Sequence, residues 1–315
     1  MFYSPQGEMQ PREDHMRWIP WALGEAVFRA TSVTLIKIIG ELSQTLAHVT
    51  LSTLVIGLVQ SVVAGSMLVR NRTFSTTRRF FIGSVLFGVG AFFSSIVAFV
   101  AYMQGANMAV YTLLTLLAIV PGALIDRIWF GERLVARQML GIALAILAGW
   151  LALKVPTVAE LAGLPLWTWL GLLNAVGLAV NQGCTRWIKD VDPWVKNFWG
   201  GLTTLLLGVM VLVFLGMDRA LLSGPDIRPL LLWSTLIAFA VIGIWSFSVI
   251  AYRDGAAIPT KHVLVNGVFL ALVLAVGFLV FNEEIAPVQV GGMLVYLCAF
   301  VLINNEVWRF VAVRR

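Results

Sequence analysis

Cysteine is scarce in this chain of 315 residues: Cys184 and Cys298 stand far apart, and neither belongs to a paired motif. That counts against disulfide scaffolds and cysteine-ligated metal centres. Histidine is scarce as well, with His15, His48 and His262 far apart in sequence and no HExxH or CxxC string. A membrane enzyme acting on lipid-linked substrates would need a nucleophile or metal cluster, so neither an enzyme, a metal nor a cofactor is expected. There is no ATP-binding motif, and no extramembrane domain that would signal. Charge is the third shortage: 12% of residues are charged and 59% apolar, against about 25% charged in soluble domains. The deficit points to lipid. The net charge of +6 sits in short loops between apolar runs, where it sets topology and gives no reason to expect nucleic acid.

Long apolar runs are what the chain has in abundance. A hydrocarbon core of ~30 Å takes about 20 helical residues. Ten stretches qualify or nearly so, near 18–38, 48–69, 80–102, 106–129, 136–154, 165–187, 195–215, 229–251, 257–280 and 287–309. The expected fold is an all-α integral membrane protein of ten helices, with residues 1–17 and 310–315 as tails. Residues 1–16 are polar and the first apolar stretch is long enough to stay as a span, so no cleaved signal is expected. Pro20, Pro229 and Pro259 fall in first turns, which tolerate the missing N–H. Pro121 falls inside the fourth helix and should bend it. With the N-terminus inside, 17 Lys and Arg residues, Lys189 and Lys196 among them, fall in cytoplasmic segments. Four (Lys37, Lys154, Arg219 and Arg228) fall on the other side, and Arg29 belongs to neither. This bias places both termini in the cytoplasm, most simply of a bacterial inner (plasma) membrane.

Two strings recur about 150 residues apart. Ala101-Tyr102-x2-Gly105-Ala106 returns as Ala251-Tyr252-x2-Gly255-Ala256, and Phe130-x-Glu132-x5-Gln138-x2-Gly141 as Phe281-x-Glu283-x5-Gln289-x2-Gly292. The repeats would be 18–154 and 165–309. Each holds five helices, an odd number, so the second half enters the membrane inverted. Glu132 then lies on the cytoplasmic face and Glu283 on the outer face. Inverted repeats place substrate sites near the midplane, where the halves meet.

These strings, with the first-helix ending Thr34-Leu-Ile-Lys37 and Pro121 in the fourth helix, resemble the ten-helix EamA-type branch of the drug/metabolite transporter superfamily. The resemblance covers nearly the whole chain. It implies a solute carrier working by alternating access, with helices 1, 3, 4, 6, 8 and 9 lining a central cavity and helices 5 and 10 peripheral. One departure is visible: the counterpart of Pro121 is Leu272, so the halves should bend unequally. The related small multidrug resistance pumps carry a first-helix Glu eight residues before the Lys that ends the helix. Here that place holds Arg29, the opposite charge, which weakens a cation-drug reading.

Arg29 is the sharpest candidate. It lies roughly 16 Å into the first helix at 1.5 Å per residue. An Arg near the bilayer centre costs at least ~2.5–3.5 kcal/mol and should face the protein interior with a partner. Glu25 sits one turn earlier at i,i+4 spacing, with Ser32 continuing the face. The two side chains form an ion pair that only positions the helix, or Arg29 binds an anionic substrate while Glu25 competes for it and couples transport to a proton or to exchange. Lys261 either snorkels to the interface or adds a second basic group to the cavity. His262, a residue type whose ordinary pKa is near neutral, either packs or takes part in coupling. Asn266 follows it by one turn. Asn174, Asn181 and Thr185 share a face of the sixth helix; Trp245, Ser248 and Tyr252 share one on the eighth; Tyr111 and Thr115 do so on the fourth. Each alone is as well explained by helix packing, and only as a set do they suggest a cavity. Trp18, Trp21, Trp129, Trp167, Trp194 and Trp308 read as an interfacial belt. Glu132 and Glu283 read as caps or gates at the turns before helices 5 and 10.

The expected function is secondary transport of a small organic metabolite bearing a carboxylate or phosphate. The alternative is a proton-coupled exporter of neutral or cationic amphiphiles using Glu25. The partners would be the substrate and membrane lipid, with a homodimer left open.

Overall fold

The computed structural model describes residues 17–72, 76–131, 135–188, 190–216, 227–254 and 258–303. Every regular element among them is a helix: α1 (Ile19–Leu42), α2 (Leu46–Asn71), α3 (Arg78–Met103), α4 (Met108–Leu116), α5 (Ile119–Phe130), α6 (Ala136–Ala152), the single turn α7 (Val158–Leu161), α8 (Leu166–Trp187), α9 (Pro193–Phe214), α10 (Ile227–Arg253), α11 (Ile258–Phe281) and α12 (Pro287–Ile303). Short polar side chains start many of them, because the first turn's N–H groups need acceptors. Thr45 accepts from His48 N, Thr77 from Phe80 N, Asn107 from Val110 N and Asp192 from Trp194 N.

Six of the described segments are long and apolar enough to cross a membrane by length and composition: 46–71, 78–103, 108–130, 193–214, 227–248 and 264–281. The architecture is that of a multi-pass helical membrane protein. α1 and α8 are as long as these, at 24 and 22 residues, but fall outside the set through their polar side chains. Those are Glu25, Arg29 and Lys37 in α1, and Asn174, Asn181 and Thr185 in α8.

Pro121 interrupts the span 108–130 at Leu117–Ala118, just where its ring crowds the carbonyl four residues back. The break is closed by short turns, Val120 N donating to Leu117 O and Gly122 N to Ala118 O. α11 runs unbroken past Leu272. One of the two corresponding segments is thus interrupted and the other is not.

Helices of the N-terminal half pack chiefly on those of the C-terminal half. α1 lies on α10 and α11, α2 on α9 and α10, α3 on α8 and α9, and α6 on α12. The α6–α12 interface explains the second repeated string. The Gln138 side chain accepts from Val135 N at the start of its own helix and donates to Ile303 O at the end of α12. Gln289 accepts from Ala286 N and donates to Ala152 O at the end of α6. A Cβ on Gly141 would lie 2.8 Å from Ala299 O, and one on Gly292 would lie 2.9 Å from Ala148 O. Each string thus caps its own helix, ties it to the other and lets the two backbones approach. The turns before them also match, with Gly131 at φ +69° and Asn282 at φ +50°.

A methyl group tests that interface. Gly292→Ala is expected to cost about 1–3 kcal/mol by overpacking, read as a lower thermal unfolding midpoint in detergent. Gly291→Ala, whose Cβ would meet nothing within 4 Å, should leave the midpoint unchanged or slightly raised.

Candidate functional site

α1 carries its charge on the inside. Leu23, Val27 and Thr31 form its outer stripe. Arg29, two residues beyond Val27, lies about 200° round the helix from it. Arg29 Nη2 donates to Glu25 Oε1 at 2.7 Å, and Glu25 is fully buried. The Arg29 side chain is nevertheless 29% exposed. That exposure lies on the face of α1 turned away from the outer stripe. Its Nε has no hydrogen-bond partner among the described residues, so a guanidinium with five donors leaves capacity for an incoming acceptor.

The other candidates divide between framework and site. Asn174 Nδ2 donates to the Tyr111 hydroxyl at 3.0 Å, and the Tyr111 and Tyr102 rings lie 5.0 Å apart, joining α8, α4 and α3. Asn181 turns toward α3. With its amide oriented to satisfy both ends, it donates to Phe87 O at 3.1 Å and accepts from Ala91 N at 3.2 Å. Both contacts hold helices together. Asn266 is buried on α11, and its Oδ1 has no hydrogen-bond partner among the described residues. Trp245 packs edge-on against Phe87, with centroids 4.2 Å apart. Glu132 and the side chains of Tyr252, Lys261 and His262 lie outside the described residues.

Two lysines sit elsewhere than their place in the sequence suggests. α1 continues to Leu42, and Lys37, expected at the outer end of that helix, is buried and paired with Glu283. Lys37 also donates to Ala106 O at 3.3 Å and lies 3.3 Å from Glu41. Glu283 Oε1 accepts from Met108 N at 2.7 Å. One carboxylate thereby joins the end of α1, the start of α4 and the turn after α11.

Lys196, expected at the cytoplasmic end of the span 195–215, is buried too. α9 begins at Pro193, earlier than its apolar run, and makes Lys196 its fourth residue. The side chain is 6% exposed, donates to Thr185 Oγ1 at 2.9 Å, and lies 3.7 Å from the Trp245 ring centre and 4.5 Å from that of Phe87. Asp192-Pro193, an N-cap residue followed by Pro at N1, was the signal for this helix start.

A cavity of about 280 Å³ lies between α1 and α11, lined by Val27, Thr31 and Thr34 on one side and Leu272 and Val276 on the other. It is apolar and opens beside the outer stripe of α1, away from Arg29.

No family model matches the chain, and no curated protein matches it. Among solved structures, 28 chains match. One, described in the words "Crystal structure of protein", superposes with a TM-score of 0.55 over 90% of this chain and 98% of its own, at 14% identity. That likeness is one of fold.

Proposed function

We propose that the protein is a secondary transporter of the EamA type, moving a small organic metabolite with a carboxylate or phosphate by alternating access. Arg29 would be the anion-binding group, with both termini cytoplasmic. The observation that carries the reading is Arg29 on the inward face of α1, bonded to a fully buried Glu25 yet itself 29% exposed. A permanent structural pair would be closed over on both sides. An anionic substrate would compete with Glu25 for the guanidinium, and Glu25 would then be neutralised by a proton or the site refilled by a second substrate. Either requirement couples movement to binding.

The packing supports two inverted five-helix halves. In such a pair α1 corresponds to α8 and α3 to α10, so the α1–α10 contact has its counterpart in α8–α3. The α6–α12 interface, with its reciprocal Gln and Gly residues, would lie across the pseudo-two-fold axis. The test is counterflow in liposomes holding the purified protein and loaded with a mixture of unlabelled carboxylates and phosphate esters. Uptake of a labelled member of the mixture should be saturable and depend on Arg29. Uptake confined to cationic or neutral amphiphiles, and unchanged in Arg29→Ala, would sink the anion reading. It would favour the amphiphile exporter, for which the apolar side cavity between α1 and α11 is a natural entrance.

A further inference from the structure

A lysine one turn inside a membrane helix ordinarily lays its stem along apolar surface and sends its ammonium out to water. Lys196 does the reverse. Its Nζ meets Trp245, eight residues before the end of α10, and Phe87, nine residues after the start of α3. Both lie about 12–14 Å from their helix ends at 1.5 Å per residue. The ammonium has three donors, of which one reaches Thr185 Oγ1, and no carboxylate among the described residues lies within ion-pair distance. Two aromatic faces return part of what a cation loses on leaving water. They do not replace the anion that a buried ammonium otherwise pairs with. The arrangement is therefore short of one negative charge.

We propose that Lys196, Thr185 and Trp245 form a carboxylate site on the α8–α9–α10 side of the bundle, seen here with the ammonium parked on the indole. An arriving carboxylate would accept from Lys196 Nζ and, once the Thr185 hydroxyl turns away from Asn181 O, to which it donates at 3.0 Å, from Thr185 Oγ1 as well; the indole would turn from holding the cation to covering the ligand's carbon skeleton. One ammonium, one hydroxyl and two rings suit a small organic monoanion. A phosphate dianion would need more donors than the site has. The proposal deepens the transport reading by narrowing its substrate to a carboxylate, but binding at this site can be measured without any flux.

The probe is benzoate, with benzyl alcohol as its neutral counterpart, and the readout is the unfolding midpoint of the purified full-length protein against ligand concentration. Benzoate should stabilise the wild-type protein saturably and benzyl alcohol should not. Lys196→Met should weaken benzoate at least about tenfold, the loss of a charge-assisted hydrogen bond, whereas Lys196→Arg should stay within about threefold. Trp245→Phe, with a poorer cation–π face, should tighten benzoate about threefold by holding the ammonium less firmly, an effect a purely structural role would not produce. Benzoate affinity unchanged in Lys196→Met overturns the site, as does a wild-type protein that benzoate does not stabilise. If Lys196→Met does not fold, weaker binding in Trp245→Phe overturns it instead. Lys196-dependent binding without counterflow would refute transport and leave the site standing. Arg29-dependent counterflow with Lys196-independent binding would do the opposite.

Discussion

Arg29→Ala is expected to reduce carboxylate or phosphate uptake by a factor on the order of 10²–10³, the consequence of truncating one partner of a desolvated, hydrogen-bonded charge pair. The same change removes the cation that Glu25 bonds, so the single variant should also lose stability, by about 3–5 kcal/mol. The two effects separate in the double variant Glu25→Gln/Arg29→Gln. An amide pair keeps one hydrogen bond without burying charge, at the loss of part of the Arg29 volume, so the unfolding midpoint should return most of the way to the wild-type value. Uptake should stay lost. A double variant that recovers both stability and uptake would make the pair a packing device and remove Arg29 from the site. Glu25→Gln alone leaves Arg29 its charge and its exposure, so anions should still bind while net movement is uncoupled or slowed.

Glu283→Ala is the second large effect, and it falls on stability. The carboxylate is buried against Lys37 and holds Met108 N, so its loss unties the end of α1, the start of α4 and the turn after α11 together. Removing one partner of a buried pair costs about 3–5 kcal/mol. The low end applies here, because Glu41 remains 3.3 Å from Lys37 and is half exposed. The drop in unfolding midpoint should be on the order of 5–10 °C. Lys37→Ala should cost no less, since Glu283 keeps only a backbone donor. Lys37→Met together with Glu283→Met should recover most of the loss, because apolar side chains of similar volume replace both charges. A midpoint that does not move in Glu283→Ala would mean the pair ties nothing. In the proposed topology the pair closes the outer end of the bundle, so Glu283→Gln is also a means of loosening that end without emptying it.

The helices were largely legible beforehand, because a bilayer demands runs of apolar residues and intrasegment hydrogen bonds whatever the neighbours are. α2 and α3 start within two residues of the expected places. α9 starts two residues early, at a proline the apolar run does not include, and Lys196, expected at the cytoplasmic end of that span, is buried. Pro121 announced a bend, and the break stands four residues upstream because the ring acts on that carbonyl. The Glu25–Arg29 pairing was legible for the same local reason, since i,i+4 spacing brings two side chains together on any helix.

Partners distant in sequence were not legible. Lys37 and Glu283 are 246 residues apart, and each looked like a solitary charge near a helix end. The repeated Gln and Gly residues could be counted in the chain, yet that each helix caps itself and grips the other emerges only when α6 lies on α12. Trp245 drew attention as a deep aromatic, while the lysine it holds was counted with the cytoplasmic charges. Local spacing and hydropathy thus settle where the chain turns helical and which charge lies deep in a helix. Which buried charges meet an opposite charge, and which meet only aromatic rings, follows from how the helices pack. A buried charge takes its free energy from its neighbours, and those neighbours come from the other half of the chain.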